Sequence, residues 1–194
     1  MRKLPDHLEN PIDNLVYIIV EFISPLFHEF GLGPNSITTL SLLCGMYSGY
    51  LVYQRQFLWA IVLYSMAYIF DCTDGYNARK YNQESKFGDY YDHFSDVFKF
   101  IMVMIGCYLV NVKLFWICMP IVLLDSLLVM VHLGCQEVYY GKNNSDTLNF
   151  LGKCPTSSSE EVEGYLKWTR HFGTGTSTLL VILIILVYKF FNKR

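Results

Sequence analysis

Residues 71–96, DCTDGYNARKYNQESKFGDYYDHFSD, decide how the chain is read. Asp71 and Asp74 stand three apart, and Asp92 and Asp96 four apart. On helices, each spacing puts both carboxylates on one face. Between the pairs lie Gly75, Ala78, Arg79 and Gly88. Strongly apolar sequence flanks both sides: LWAIVLYSMAYIF before Asp71 and FIMVMIGCYLV after Lys99. Carboxylates at the edge of membrane-grade segments are costly and mark function.

Working outward, residues 57–79 read as a span whose last third carries Asp71 and Asp74. Gly88 begins another span, whose first third carries Asp92 and Asp96. The two make an antiparallel hairpin, about 57–110, with all four acids on one membrane side. Asn111 and Lys113 mark the tight turn at the other side. A further span follows at about 114–133. It holds Asp125 and His132, two turns apart on one face, either a buried packing pair or part of an acceptor pocket. Residues 134–164 read as a polar loop, with a capping box at Ser158 and Glu161. A last span covers about 165–191, where GTGTST suggests tight packing or a kink.

Toward the N-terminus, a span at about 36–53 carries Ser41, Gly45 and Gly49 at four-residue intervals, a pattern of close helix packing. Asn35 after Pro34 reads as its N-cap. Residues 11–30 have helical apolar spacing at Ile12, Leu15, Val16, Ile19, Ile23, Leu26, Phe27 and Phe30. Asp13, Asn14, Glu21, His28 and Glu29 interrupt it, and Pro25 predicts a kink. This reads as an amphipathic helix lying in the interface, with a true span as the rival. The fold expected is an all-α integral membrane protein. Five to six transmembrane helices form a bundle after the interfacial helix, in one domain over 1–194.

Composition agrees. The 194 residues are 53% hydrophobic and 16% charged, against about 25% charged in soluble domains. The net charge of −2 and the lack of a basic tract argue against nucleic acid. No signal peptide is expected from MRKLPDHLENP. The cysteines Cys44, Cys72, Cys107, Cys118, Cys135 and Cys154 form no CxxC pair and read as small apolar residues in a reducing setting. The basic residues Arg2, Lys3, Arg79, Lys80, Lys86, Lys142, Lys153, Lys167 and Arg170 put the N-terminus and the acids in the cytoplasm, with Arg55 and Lys113 outside. Lys189, Lys193 and Arg194 fit this less well. The sequon Asn143-Asn144-Ser145 then falls on the cytoplasmic side. Asp89, Glu84 and Lys86 read as solvated loop charges.

Four carboxylates brought together repel strongly. A divalent cation is the natural counter-charge, and oxygen ligands point to magnesium, manganese or calcium rather than zinc. Two acids from each helix suit two metals, about 3.5–4 Å apart in phosphoryl chemistry. Arg79 is placed to neutralise phosphate oxygens.

The run Asp71, Asp74, Gly75, Ala78, Arg79, then Gly88, Asp92 and Asp96 after eight residues, resembles the CDP-alcohol phosphotransferases, membrane enzymes of phospholipid synthesis. Pro34, Asn35 and Thr38 also resemble that family. The resemblance implies transfer of a substituted phosphate from a CDP-linked alcohol to an acceptor hydroxyl, with release of CMP. It implies Mg2+ or Mn2+ in a two-metal site on Asp71, Asp74, Asp92 and Asp96, with Asp96 as general base. Gly75, Ala78, Arg79 and Gly88, with Asn35 and Thr38, would bind the CDP group. It also implies a homodimer and at least one lipid substrate. Family members commonly have six spans, where this sequence shows five clear ones.

Asn82-Gln83 resembles phosphatidylinositol synthases, Asp92-His93 the choline and ethanolamine branch, and Ser95-Asp96-Val97 phosphatidylserine synthases. The lean is to CDP-diacylglycerol with a small polar alcohol. The alternative is CDP-choline or CDP-ethanolamine with diacylglycerol. From other classes, an ion or proton transporter or a non-catalytic scaffold stays open.

Overall fold

The computed structural model describes residues 2–140 and 154–192. Among these there are helices and no strands. In chain order they are α1 (Pro11–Glu29), α2 (Pro34–Tyr53), α3 (Phe57–Lys80), α4 (Lys86–Val110), α5 (Val112–Tyr140), α6 (Ser159–Thr169), a single 3-10 turn (Arg170–Phe172) and α7 (Thr174–Phe191). Segments α3, α4, α5 and the α6–α7 run are long and apolar enough to cross a membrane, and the bent α1–α2 pair is a fifth if it counts as one span. The expected all-α bundle is present, with four such spans, or five with the bent pair, against the five to six expected after an interfacial helix. The sequon at Asn143, Asn144 and Ser145, and the basic residues Lys142, Lys153, Lys193 and Arg194, lie outside the described residues.

The α1 and α2 axes differ by 119°, so α1 turns away from the spanning direction. Its buried positions include Asp13 and Ser24, while Leu15, Ile18, Phe22 and Phe30 point outward. Tyr17 and Val20 are buried with them, and the large apolar side chains left on the outer face suit a helix lying against lipid. The helix continues through Pro25 without a break. Aromatic pairs seat it on α3: Tyr17 on Tyr76, Phe27 on Phe70, and His28 stacked on Tyr81 at 3.7 Å.

Small residues let α2 lie against α4. A Cβ on Gly49 would sit 2.5 Å from the Met102 carbonyl oxygen, and one on Gly106 2.5 Å from that of Gly49. The backbones touch, as the spacing of Ser41, Gly45 and Gly49 predicts. Ser41 and Ser48 donate to the carbonyls of Ala67 and Ala60, tying α2 to α3 as well. Beyond this seam an apolar core of Val52, Phe57, Ala60, Val103, Val181 and Ile185 fills the end away from the acids. There the Tyr188 hydroxyl donates to the Asn111 carbonyl at 3.3 Å. The last helix therefore ends on the side opposite the acids.

Several termini differ from expectation. The N-cap of α2 is Gly33, with Pro34 in the first turn, so Asn35 is already inside the helix. Pro at this position has no N–H to satisfy and fits the helical φ. The Ser158 side chain makes no cap bond. Thr156 takes the Glu161 carboxylate instead, at 2.7 Å, so the expected capping box does not form. Helix α5 extends to Tyr140, seven residues past its expected end at 133. Two cysteines are paired: Cys135 and Cys154 form a disulfide, against the reading of all six as unpaired. Pairing depends on where the end of α5 and the chain before α6 come together, which spacing does not reveal.

GTGTST proves to be both a break and a tight contact. Gly173 caps α7, and a Cβ there would meet Asn10 at 3.0 Å. A Cβ on Gly175 would overlap the Asp13 carboxylate. Asn10 caps α1 with its Oδ1 and donates through Nδ2 to the Arg170 carbonyl at 2.6 Å and to Thr176 Oγ1 at 2.7 Å. Asp13 accepts from the Tyr68 and Thr174 hydroxyls. Its carboxylate at the start of α7 complements that helix's dipole. A smaller core of Leu4, Leu8, Cys135, Val162 and Leu166 covers this side.

Candidate active site

Helices α3 and α4 both pack on α2 and bring the four aspartates to one end of the bundle. The connector 81–85 is short because Asn82 takes a left-handed conformation, φ 53°, which Asn tolerates well. Ser85 then caps α4 by accepting from the Gly88 N–H at 3.0 Å. Carboxylate oxygens of Asp71, Asp74 and Asp92 lie within 4.8 Å of one another. Asp92 Oδ1 is buried without a hydrogen-bond partner. A buried carboxylate oxygen left unpaired is costly unless a cation meets it. Three hard oxygen donors and one orphaned lone pair fit a magnesium- or manganese-type ion.

Thr38 donates to Asp74 Oδ2 at 2.6 Å and orients that carboxylate from α2. Asp96 stands beside the three-acid group rather than in it. It is paired with Lys99, at 2.8 Å. Lys99 also reaches Asp71 Oδ1 at 2.6 Å and Ser41 Oγ at 2.7 Å.

The acids form a wall between two cavities. On one side is a cleft of about 290 Å³ lined by Asn35, Thr38, Asp74, Gly75, Ala78, Arg79, Gly88 and Asp92. All six residues expected to bind CDP are in this lining. Arg79 folds back over its own helix, so that a Cβ on Gly75 would lie 3.3 Å from a guanidinium nitrogen. A Cβ on Gly88 would lie 3.1 Å from the Asn35 side chain. Both glycines thus widen the cleft where a ligand would approach the backbone. On the other side is a cavity of about 350 Å³ lined by Asp71, Asp96, His93 and Lys99 with Tyr64, Phe100, Met130 and Leu133. Helices α5 and α7 complete it through Ser126 and Ser177.

Some functional positions are not evident from the sequence. Lys99 had passed as the boundary of an apolar run, yet it is buried inside the cluster. Its signal was the i, i+3 spacing from Asp96 on the same helix face. Glu84, Lys86 and Asp89, expected as solvated loop charges, line the smaller cleft. Asp89 and Lys86 belong to the first turn of α4, and Asp89 lies 3.7 Å from His93. His132 is fully buried, but its ring bonds Thr169 and Gln136, at 3.0 and 3.1 Å, away from both cavities. That supports the packing role for it.

Just before α1, Glu9 is buried and bonded to the Asn10 N–H at 3.1 Å. Burial, with the neighbouring Asp13 charge, pushes its carboxyl up to about 7. The Arg79 and Arg2 charges offset only part of this.

A family model described as CDP-alcohol phosphatidyltransferase matches residues 32–191. The chain is also 27% identical over 142 residues to a CDP-diacylglycerol–glycerol-3-phosphate 3-phosphatidyltransferase of Wigglesworthia glossinidia brevipalpis, covering 72% of this chain and 74% of that protein. No solved structure matches.

Proposed function

The chain belongs to the CDP-alcohol phosphatidyltransferase family, and from that premise we propose that Asp71, Asp74, Asp92 and Asp96 join a CDP-linked alcohol to an acceptor alcohol across the acid wall. One observation carries this reading: Asp74 and Asp92 face the cleft that holds the expected CDP residues, while Asp71 and Asp96 face the second cavity. A transfer between two substrates needs one set of acids reached from two sides.

The nucleotide end occupies the smaller cleft, with Arg79 against phosphate oxygens and Asn35, Thr38, Gly75, Ala78 and Gly88 shaping its walls. Asp71, Asp74 and Asp92 hold magnesium or manganese, which when bound offsets the charge of the diphosphate. Asp96 faces the acceptor and takes its hydroxyl proton. The acceptor oxygen bonds to the phosphorus that stays with the transferred group. The bond from that phosphorus to the bridging oxygen breaks, and CMP leaves with that oxygen. The two-ion arrangement expected from the sequence needs Asp96 as a further ligand, and Asp96 is paired with Lys99.

For the substrates, the reading is CDP-diacylglycerol with a small polar alcohol. The likeness to the CDP-diacylglycerol–glycerol-3-phosphate 3-phosphatidyltransferase of Wigglesworthia supports it. The largely apolar second cavity, with Val97, Phe100, Val129 and Met130, favours the alternative of diacylglycerol as acceptor for CDP-choline or CDP-ethanolamine. The reading puts the acid face in the cytoplasm; it is supported by Arg2, Lys3, Arg79, Lys80, Lys86, Lys167 and Arg170 toward that end of the bundle, against Arg55, Lys113 and Lys189 at the other. On the family pattern the chain acts as one membrane domain in a homodimer.

The test is turnover by purified protein with magnesium. One arm offers CDP-diacylglycerol with inositol, serine, glycerol or glycerol phosphate, and the other CDP-choline or CDP-ethanolamine with diacylglycerol. Turnover in the first arm is expected. Turnover only in the second reverses the substrate assignment, and none in either, with folding intact, overturns the catalytic reading.

A further inference from the structure

Lys99 is a buried ammonium inside a cluster of acids, on a helix that crosses the membrane. An ammonium has three protons to donate. Here three acceptors meet them: Ser41 Oγ at 2.7 Å, Asp71 Oδ1 at 2.6 Å and Asp96 Oδ1 at 2.8 Å. The acceptors come from α2, α3 and α4, one from each helix of the catalytic end. The stem is also provided for. A Cβ on Gly45 would lie 2.4 Å from Lys99 Cγ and 2.8 Å from both its Cβ and Cδ. Helix α2 is hollowed at Gly45 where the lysine passes.

We propose that Lys99 takes the place of a second divalent cation, so that this chain works with one ion on Asp71, Asp74 and Asp92 and one built-in ammonium between Asp71 and Asp96. The inference rests on the metal reading of the proposed function. A second ion beside Asp71 and Asp96 would bind their carboxylates at about 2.0–2.1 Å for magnesium, and Lys99 already holds one oxygen of each, Oδ1 in both. The ammonium and such an ion cannot share the two carboxylates, because like charges at that range repel strongly in a low-dielectric site. Displacing Lys99 would strand a buried charge without partners, which is strongly unfavourable. The acceptor side of the wall is then electrostatically fixed by the protein, and only the donor side depends on dissolved metal.

Counting ions tests this without any lipid substrate. Purified full-length protein, stripped with chelator, is titrated with Mn2+ in the presence of CMP. Equilibrium dialysis gives the number bound per chain, and electron paramagnetic resonance reports whether two ions are coupled. One ion per chain and no coupled pair are expected for the wild type. Lys99→Met is expected to bind two ions and show the coupled spectrum, with Lys99→Gln as the substitute should the first not fold. Asp92→Asn is expected to lose the ion. A coupled pair in the wild type overturns the proposal, as does a single ion in both Lys99 variants. An ion that survives Asp92→Asn lies outside the site and overturns it too. No bound ion in the wild type removes the metal reading beneath it, an outcome distinct from finding two.

Discussion

The hydroxyl of Thr38 donates to Asp74 Oδ2 at 2.6 Å, joining α2 to the acid cluster on α3. The same hydroxyl lies 3.1 Å from the Pro34 carbonyl one turn back, which fixes its rotamer. Outer partners of this kind hold a ligating carboxylate in place. Thr38→Val keeps the shape and removes the donor. It is expected to weaken Mn2+ binding by about 10–100-fold, while Thr38→Ser retains most of it. Metal titration followed calorimetrically measures both, and equal loss in the two variants would refute the orienting role.

On the proposed function, Asp96 and Asp71 have different duties. Asp96→Asn keeps a carbonyl oxygen but accepts no proton. It should retain metal-dependent CMP binding while turnover falls by at least about 100-fold, within the usual range for a general base. Asp71→Asn should lose nucleotide binding as well, because an amide is a poorer partner for a hard cation. Calorimetric titration of CMP with and without magnesium makes the comparison. If Asp96→Asn binds no nucleotide while Asp71→Asn binds it normally, the assignments are reversed.

The α2–α4 seam leaves no space for a methyl group. Gly49→Ala places a Cβ against the backbone of Met102 and Val103, and Gly106→Ala one against the Gly49 carbonyl. Backbone cannot move aside as a side chain can. Each change should destabilise the protein by roughly 1–3 kcal/mol, read as a lowered melting temperature in micelles. At Gly31, where a Cβ meets nothing within 4 Å, the backbone has φ 72°, so Gly31→Asn tests tolerance of conformation without crowding and should cost much less. Comparable losses at all three sites would deny the close packing.

Glu9 gives a pH dependence with a definite sign. Its ordinary value is 4.5 and its folded value about 7. Between these the folded protein binds more protons than the unfolded chain, so stability falls as pH rises through the window. The contribution is fully present below about pH 4.5 and lost above about 7, up to about 3 kcal/mol in all. Glu9→Gln should remove that slope and raise the melting temperature at pH 7.5 relative to the wild type. A slope unchanged by the substitution would place its origin elsewhere.

The hairpin of acids was legible because it rests on residue type and spacing alone. Asp71, Asp74, Asp92 and Asp96 fall on facing helix ends whatever the rest of the chain does. The small residues of α2 were legible for the same reason, though their partners were not: Gly45 faces a lysine stem and Gly49 a backbone. Lys99 was missed because a charge bordering apolar sequence reads as a span end, and only the third dimension shows it turned inward. The start of α2 was misplaced because Gly33 and Pro34 together do what Asn35 alone was expected to do. The clamp at GTGTST was out of reach, since its partners Asn10 and Asp13 lie some 160 positions away along the chain.

Membrane sidedness gives the last prediction. Cysteines introduced at Ser85 and Arg55, in a background freed of the native ones, should label from opposite faces. Should Ser85 face the cytoplasm, as proposed, glutathione there would keep Cys135 and Cys154 as thiols in intact cells. Acid quenching followed by alkylation under denaturing conditions would then find them modified. A protected pair would place the acid face in an oxidising compartment, while labelling of both introduced cysteines from one face would break the hairpin.

The two cavities draw on different lengths of chain. The smaller cleft is walled by residues 34–92 alone, whereas the second cavity borrows α5 and α7 for its far side. One cleft is thus written in one contiguous stretch of sequence, and the far wall of the other in two further stretches. On the proposed assignment, exchanging 126–133 and 174–178 between relatives would alter which alcohol is accepted and leave the handle by which every donor is grasped. On that assignment the layout would let the accepted alcohol change by rebuilding one wall while the other stands.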